Sequence, residues 1–217
     1  MLSSVKSHTI DIFCDVIDNY GDIATIYRLG KDLVKRNQTV RILVNNLETF
    51  HALVPQVDCN KCRQSIEGID VITSCSADSR TIYDACEHEI LIEAFGCTVE
   101  EEFFESFSSQ KNNRTGDPLH TKRLIINLEY LSAEQWTTSY HKKESLTGKR
   151  GIRKFFFMPG FSPDSGGIIL DDDFLARKEK IEGNPVESRK ALCRRYGIDP
   201  AAACNSLFVT LFSYRRN

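Results

Sequence analysis

No apolar run in this chain reaches the roughly 18 residues that a membrane-spanning helix needs, which argues against a membrane helix within these 217 residues. The opening segment, Met1 to His8, is polar and lacks the apolar stretch of a secretory signal. A cytoplasmic location with no membrane partner is therefore expected. Charge of one sign is also lacking. There are 28 basic and 30 acidic residues for a net charge of −2, so the balance gives no sign of a nucleic-acid surface. No G-x-G-x-x-G follows the first apolar strand, which disfavours an ordinary dinucleotide-binding protein. The pair Cys59-x-x-Cys62 has no second pair to complete a zinc site, and Cys75 and His88 qualify only by residue type, so no metal is expected. In a reducing compartment the eight cysteines are expected to be free thiols, with Cys14, Cys86 and Cys97 acting as small residues in or beside apolar runs.

What is present is ordinary globular composition, 41% hydrophobic and 27% charged, enough for one large or two small cores. Ile10 to Val16 reads as a buried strand. Ile23, Ile26, Tyr27, Gly30, Leu33 and Val34 then recur at helical spacing, and residues 39–44 read as a second strand. Strand, helix, strand at this length is a βαβ unit and predicts an α/β fold with a parallel sheet. Further strands are predicted at Ile69–Thr73, Glu89–Ala94, Leu124–Leu128 and Phe155–Met158, with a helix over Val99–Phe107 and a polar loop over Lys111–Thr121. After Gly160 the chain becomes rich in turn formers. Pro185 to Tyr196 reads as a helix stopped by Gly197, and Ser206 to Phe212 is a strongly β-forming run.

Between the first strand and the first helix lies a tight turn holding two carboxylates, Asp18 and Asp22, and one glycine, Gly21. In α/β folds, ligands collect at the carboxyl ends of strands, where such turns lie. On the residues alone two readings stand. Asp22 caps the helix and Asp18-Asn19 shapes the turn, or the pair does chemistry. Ser132-Ala133-Glu134 resembles a helix cap, and Trp136 and Phe155 to Phe157 read as core.

Four words occur in one order: FCDVIDNYGDI, LIEAFGC, INLEYLSAEQW and FFFMPGFSPDSGG. Together they resemble the bacterial protein-arginine rhamnosyltransferases, which modify one arginine of translation elongation factor P. The resemblance runs over about residues 10 to 214. It implies a Rossmann-like domain of a two-domain GT-B-type glycosyltransferase. Residues 1–160 would form the amino-terminal acceptor-binding domain and 161–205 a connecting loop and helices. Residues 206–217 would be the first strand of a carboxyl-terminal donor-binding domain that is largely missing. The implied reaction is inverting transfer of rhamnose from dTDP-β-L-rhamnose to an arginine, with no cofactor and no metal. The alternative is a catalytically incomplete fragment that only binds elongation factor P. A half-enzyme of this kind is expected to be weakly stable or to self-associate.

The same resemblance implies site residues. Asp18 and Asp22 would be catalytic, and Asn19, Tyr20, Gly21 and Tyr214 would bind the donor. Glu93, Asn127, Glu129, Gly166 and Gly167 are pocket candidates, each with a plainer reading as a strand-end or turn residue. Paired carboxylates suit the chemistry. A guanidinium is protonated and delocalised, hence a poor nucleophile. Carboxylates can hold it by bidentate hydrogen bonds and accept a proton as the new bond forms. Two departures from the family pattern stand out. Ala24 replaces a common glycine beside the helix end, and Arg215-Arg216 intervene where the family follows its tyrosine with an acidic residue and asparagine.

Overall fold

A computed structural model describes residues 7–17, 20–109, 123–149, 151–170, 172–203 and 205–209. The chain forms two compact units, Met1–Ile169 and Leu170–Asn217. In the first unit the elements run β1 (Thr9–Cys14), α1 (Tyr20–Lys35), β2 (Thr39–Val44), α2 (Leu47–Leu53), β3 (Arg63–Ile66), β4 (Ile69–Thr73), α3 (Ser79–Asp84) and β5 (Ile90–Ala94). There follow α4 (Glu101–Ser109), β6 (Arg123–Leu128), α5 (Trp136–Tyr140), β7 (Glu144–Ser145) and β8 (Ile152–Phe157). The second unit holds α6 (Asp172–Gly183) and α7 (Pro185–Arg195).

The sheet order is β3-β4-β2-β1-β5-β6-β8-β7. Its six inner strands are parallel and the two outer ones, β3 and β7, are antiparallel edges. Counting only the parallel strands in chain order, this is the 3-2-1-4-5-6 arrangement of Rossmann-like folds. The chain starts at β1, winds outward through β2 to β4, then returns to β5 on the other side. The strand order therefore reverses between β1 and β5, and in such sheets the crevice at that reversal is where ligands bind. The α/β expectation and its Rossmann-like form are met. The predicted strands at 39–44 and 69–73 coincide with β2 and β4, and the others agree to within a few residues.

Strand alternation divides the core. Ile12, Cys14, Ile42, Val44, Ile92 and Ala94 face one side, packed with Ile23 and Ile26 of α1 and Phe50 of α2. Phe13, Leu43, Ile72, Leu91 and Ile125 face the other, packed with Tyr83 of α3 and with Phe103 and Phe107 of α4. Both faces of β1, β2 and β5 are covered, which accounts for their near-continuous apolar sequences.

Two charged residues interrupt that pattern. Asp11 of β1 and Arg41 of β2 stand opposite each other in the register and have almost no exposure. Arg41 Nε donates to Asp11 Oδ1 at 2.6 Å. His88 Nδ1 lies 2.6 Å from Asp11 Oδ2, and the Tyr83 hydroxyl donates to the same oxygen at 3.1 Å. His88 Nε2 meets the Tyr83 carbonyl at 3.0 Å, so this nitrogen carries a proton. Burial opposes the charge on Arg41, and the neighbouring Asp11 outweighs it, leaving the guanidinium pKa raised. His88 is thus a member of a buried polar cluster.

Some expectations fail. Trp136 is 54% exposed and makes an edge-to-face contact with Tyr140, because α5 is a single short turn on the surface. Ser132 caps no helix. Its Oγ accepts from the Glu134 N–H at 3.1 Å and its backbone bridges to Gly160, while α5 begins only at Trp136. Ser206 to Val209 pairs with no strand, and a β-forming segment without a ladder partner gains no strand hydrogen bonds. Residues 210–212 of that run, and the whole Lys111–Thr121 loop, lie outside the described residues. In the second unit α7 is as predicted. Asn184 caps it by accepting from Glu187 N–H, Pro185 sits in its first turn, and Gly197 follows it at φ +67°. Among the described residues no helix is long and apolar enough to cross a membrane.

Asp11→Ala leaves Arg41 buried without its carboxylate, and should cost about 3–5 kcal/mol of stability. Asp70→Ala, which removes only the half-exposed pair with Arg63, should cost about 1 kcal/mol or less. Urea unfolding of both variants beside the wild type measures the contrast.

Candidate functional site

The carboxyl ends of β1 and β5 are the place to build from. Beyond Cys14 the chain leaves the sheet through Asp15, Val16 and Ile17 before entering α1. Asn45, which follows β2, holds this exit by accepting the Val16 N–H on its side-chain oxygen at 2.9 Å. α1 then delivers Asp22 in its first turn, 1% exposed. One carboxylate oxygen of Asp22, Oδ2, accepts the Ile17 N–H at 3.0 Å. The other, Oδ1, accepts the Tyr130 hydroxyl at 3.0 Å. A carboxylate in the first helical turn is also favoured by the helix dipole. Asp22 lies inside the first turn of α1 and the N–H it accepts belongs to Ile17, ahead of the helix, so it braces the exit from β1 where a helix cap was one of the two readings. Asp22 secures the turn backbone and presents a nearly buried acid at the reversal point of the sheet.

Tyr130 reaches Asp22 from beyond β6. Its ring stacks on Phe95, with centroids 4.6 Å apart and planes 19° from parallel. Phe95 ends β5 with a left-handed backbone, φ +58°, and is followed by Gly96 at +72°. Its N–H donates to the Leu128 carbonyl at 2.7 Å.

The electrostatics of this floor are those of a dry site. Burial, with the Asp22 charge second, pushes the Cys14 thiol pKa far up. Burial pushes the Cys97 thiol up to about 12, and its Sγ donates to the Phe13 carbonyl at 3.1 Å. Neither cysteine is a thiolate near neutral pH, so neither supplies a nucleophile. Asp15 is half-buried, and burial raises its pKa above the ordinary range, partly offset by a backbone hydrogen bond from Thr98.

The remaining predicted residues are distributed as follows. Tyr20 opens α1 and is 53% exposed. Gly21 is next, its carbonyl accepting the Thr25 hydroxyl at 2.9 Å. Glu93 is in register with Phe13 and Asn127, so Glu93 and Asn127 point to the sheet face opposite α1. There Glu93 pairs with Lys154 of β8, and Asn127 donates to Glu129 at 2.9 Å. The Glu93 and Asn127 side chains therefore leave the sheet on the face away from α1, which carries Asp22. Gly166 donates its N–H to the Met158 carbonyl at 2.7 Å. A Cβ there would fall 2.5 Å from the Phe157 ring, so the loop backbone itself packs on that ring. Gly167 has φ +73° with open space around its Cα. Asp18, Asn19 and Tyr214 lie outside the described residues.

A concavity of about 490 Å³ opens beside the same sheet edge, at the ends of β2 and β4, lined in part by Asn45, Glu48, Lys61 and Thr73. Cys59 and Cys62 also face it, and Asp22 does not. Sequence reasoning missed Asp15 and Phe95. Asp15, a carboxylate directly after an apolar strand, was a usable signal. For Phe95 the following glycine was the only one.

Comparison with known proteins bears on the whole chain. Residues 10–217 match the family described as Elongation-Factor P (EF-P) rhamnosyltransferase EarP. The chain is 33% identical over 207 residues to a protein-arginine rhamnosyltransferase of Pseudomonas putida, covering 95% of this chain and 50% of that protein. It is 34% identical over 214 residues to one from Shewanella oneidensis, covering 98% and 51%. It is 34% identical over 205 residues to one from Pseudomonas aeruginosa, covering 94% and 50%. The chain thus spans about half the length of the curated relatives it matches.

A carboxyl group whose folded pKa is raised favours the fold when protonated. Its contribution is fully present below the unfolded aspartate value of about 3.9 and is lost as pH rises through the folded value. Asp15→Asn should therefore melt at a higher temperature than the wild type at pH 7, and the two should converge at about pH 3. Thermal melts across that pH range measure it.

Proposed function

The chain belongs to the elongation-factor P rhamnosyltransferase EarP family, and we propose that it provides the acceptor side of an inverting protein-arginine rhamnosyltransferase. The acceptor is an arginine of translation elongation factor P, the donor is dTDP-β-L-rhamnose, and the setting is the cytoplasm. In this reading residues 1–160 are the acceptor-binding Rossmann-like half of a GT-B enzyme and 206–217 open its donor-binding half. The observation that carries the reading is the buried Asp22 carboxylate at the point where strand order reverses.

The chemistry follows from the guanidinium. Asp22, with Asp18 as its partner carboxylate, accepts N–H bonds from the arginine and localises positive charge away from the attacking nitrogen. That nitrogen bonds to the anomeric carbon as the bond to the nucleotide diphosphate oxygen breaks on the opposite face, which inverts the centre. The nitrogen's proton passes to a carboxylate. Asn19, Tyr20 and Gly21, at the amino end of α1, suit the donor phosphates, since helix N-termini favour anions, and Tyr214 suits its nucleotide. Glu93, Asn127, Glu129, Gly166 and Gly167 are assigned to the surrounding pocket on the strength of the family resemblance. Two observations above narrow their roles: Glu93 is already neutralised by Lys154, and Gly166 is needed for packing on Phe157.

The test mixes the chain with elongation factor P and dTDP-rhamnose and follows the intact mass of elongation factor P. A gain of one deoxyhexose supports the transferase reading, and Asp22→Asn should lower its rate by about 100-fold or more. Binding in calorimetry without a mass gain assigns the chain acceptor binding alone, and Asp22→Asn should then weaken the complex by roughly 10- to 100-fold, the worth of hydrogen bonds to a charged group. The absence of both transfer and binding would overturn the reading.

A further inference from the structure

Asp22 accepts from both sides of the crevice. The Ile17 N–H comes from the exit of β1, and the Tyr130 hydroxyl arrives from 108 residues further along the chain, each at 3.0 Å. The local donor belongs to a helix-terminus arrangement that secures the turn. The distant one does nothing for the helix. It is delivered by a backbone fixed on two sides: the Glu129 N–H donates to the Phe157 carbonyl at 3.0 Å, and Phe95, under the Tyr130 ring, is tied to Leu128. Phe95 takes up a left-handed backbone to lie there, a conformation that costs a non-glycine residue about 1 kcal/mol or more. The phenol position is thus set by β5, β6 and β8 together.

The carboxylate torsion of an aspartate is soft, with a broad, roughly two-fold profile. One hydrogen bond leaves the carboxylate plane free to swing about the bonded oxygen, and a second, on the other oxygen and from a different direction, stops it. A planar guanidinium bonded in the bidentate manner requires that plane to be fixed, whereas an ammonium, a point charge with three rotatable donors, does not. We propose that Tyr130, seated on Phe95, is a positioning residue that fixes the plane of the Asp22 carboxylate and so selects a guanidinium over an ammonium. The inference rests on the assignment of Asp22 as the carboxylate that holds the acceptor arginine.

Tyr130→Phe keeps the ring and its stacking and removes only the hydroxyl. The measurement is calorimetric binding of the chain to elongation factor P carrying either its acceptor arginine or lysine there. Four chains are compared: wild type, Tyr130→Phe, Asp22→Asn and the double variant. Tyr130→Phe should weaken binding of the arginine form about fivefold, the worth of one such hydrogen bond. It should leave the lysine form unchanged, and have no further effect once Asp22 is asparagine. Phe95→Leu, which removes the stacking platform, should show the same selective loss at smaller size and stands in if Tyr130→Phe does not fold. Equal losses for arginine and lysine, a loss that persists beside Asp22→Asn, or no loss at all would each overturn the positioning role. The underlying assignment fails differently: Asp22→Asn itself would then leave the arginine preference intact, or neither form would bind, and the role of Tyr130 would fall with it.

Discussion

A carboxylate with no access to water, Asp11, is held by a guanidinium, an imidazole and a phenol at the centre of the sheet. Desolvating such a group is tolerable only when every partner is in place, so the cluster acts as a constraint on assembly. It sets Asp11 against Arg41 and thereby the register of β1 on β2. A slip of one residue would turn Asp11 into the apolar layer under α1, where Ile12 and Cys14 belong. It would also shift the end of β1 by about 3.3 Å. The turn that carries Asp22 hangs from that end, so a polar cluster in mid-sheet determines the position of a carboxylate at its rim.

The sheet also sorts its carboxylates by what surrounds them. On the face opposite α1, Glu93 meets Lys154 and is neutralised. At the rim, Asp22 accepts from a backbone N–H and a phenol. Asp15, a few residues away, is kept half-buried and reluctant to ionise.

The inner strands were legible because burial on both faces writes them as short apolar runs, and α1 because its buried face repeats at helical spacing. Of the elements that escaped, α2, β3, α3 and β7 are short with mixed sequences, so neither period emerges, and α6 is too rich in charge to show an apolar face. Asp11 and Arg41 were hidden for a different reason. A charge inside an apolar strand is explicable only once its partner strand is known, and pairing is a property of the fold. Trp136 misled because its size suggests burial, while the turn it opens has no layer above it. Within the site, Asp22 could be read from the turn it occupies. The part played by Tyr130 could not, since it depends on β5, β6 and β8 coming side by side.

Phe95 serves two ends with one ring. Glycine would adopt its left-handed backbone without penalty. At position 95 it would also empty a buried place in the core and remove the flat surface on which the Tyr130 ring lies. The aromatic residue this turn keeps fills the core with one face of its ring and sets the aim of a single hydroxyl with the other.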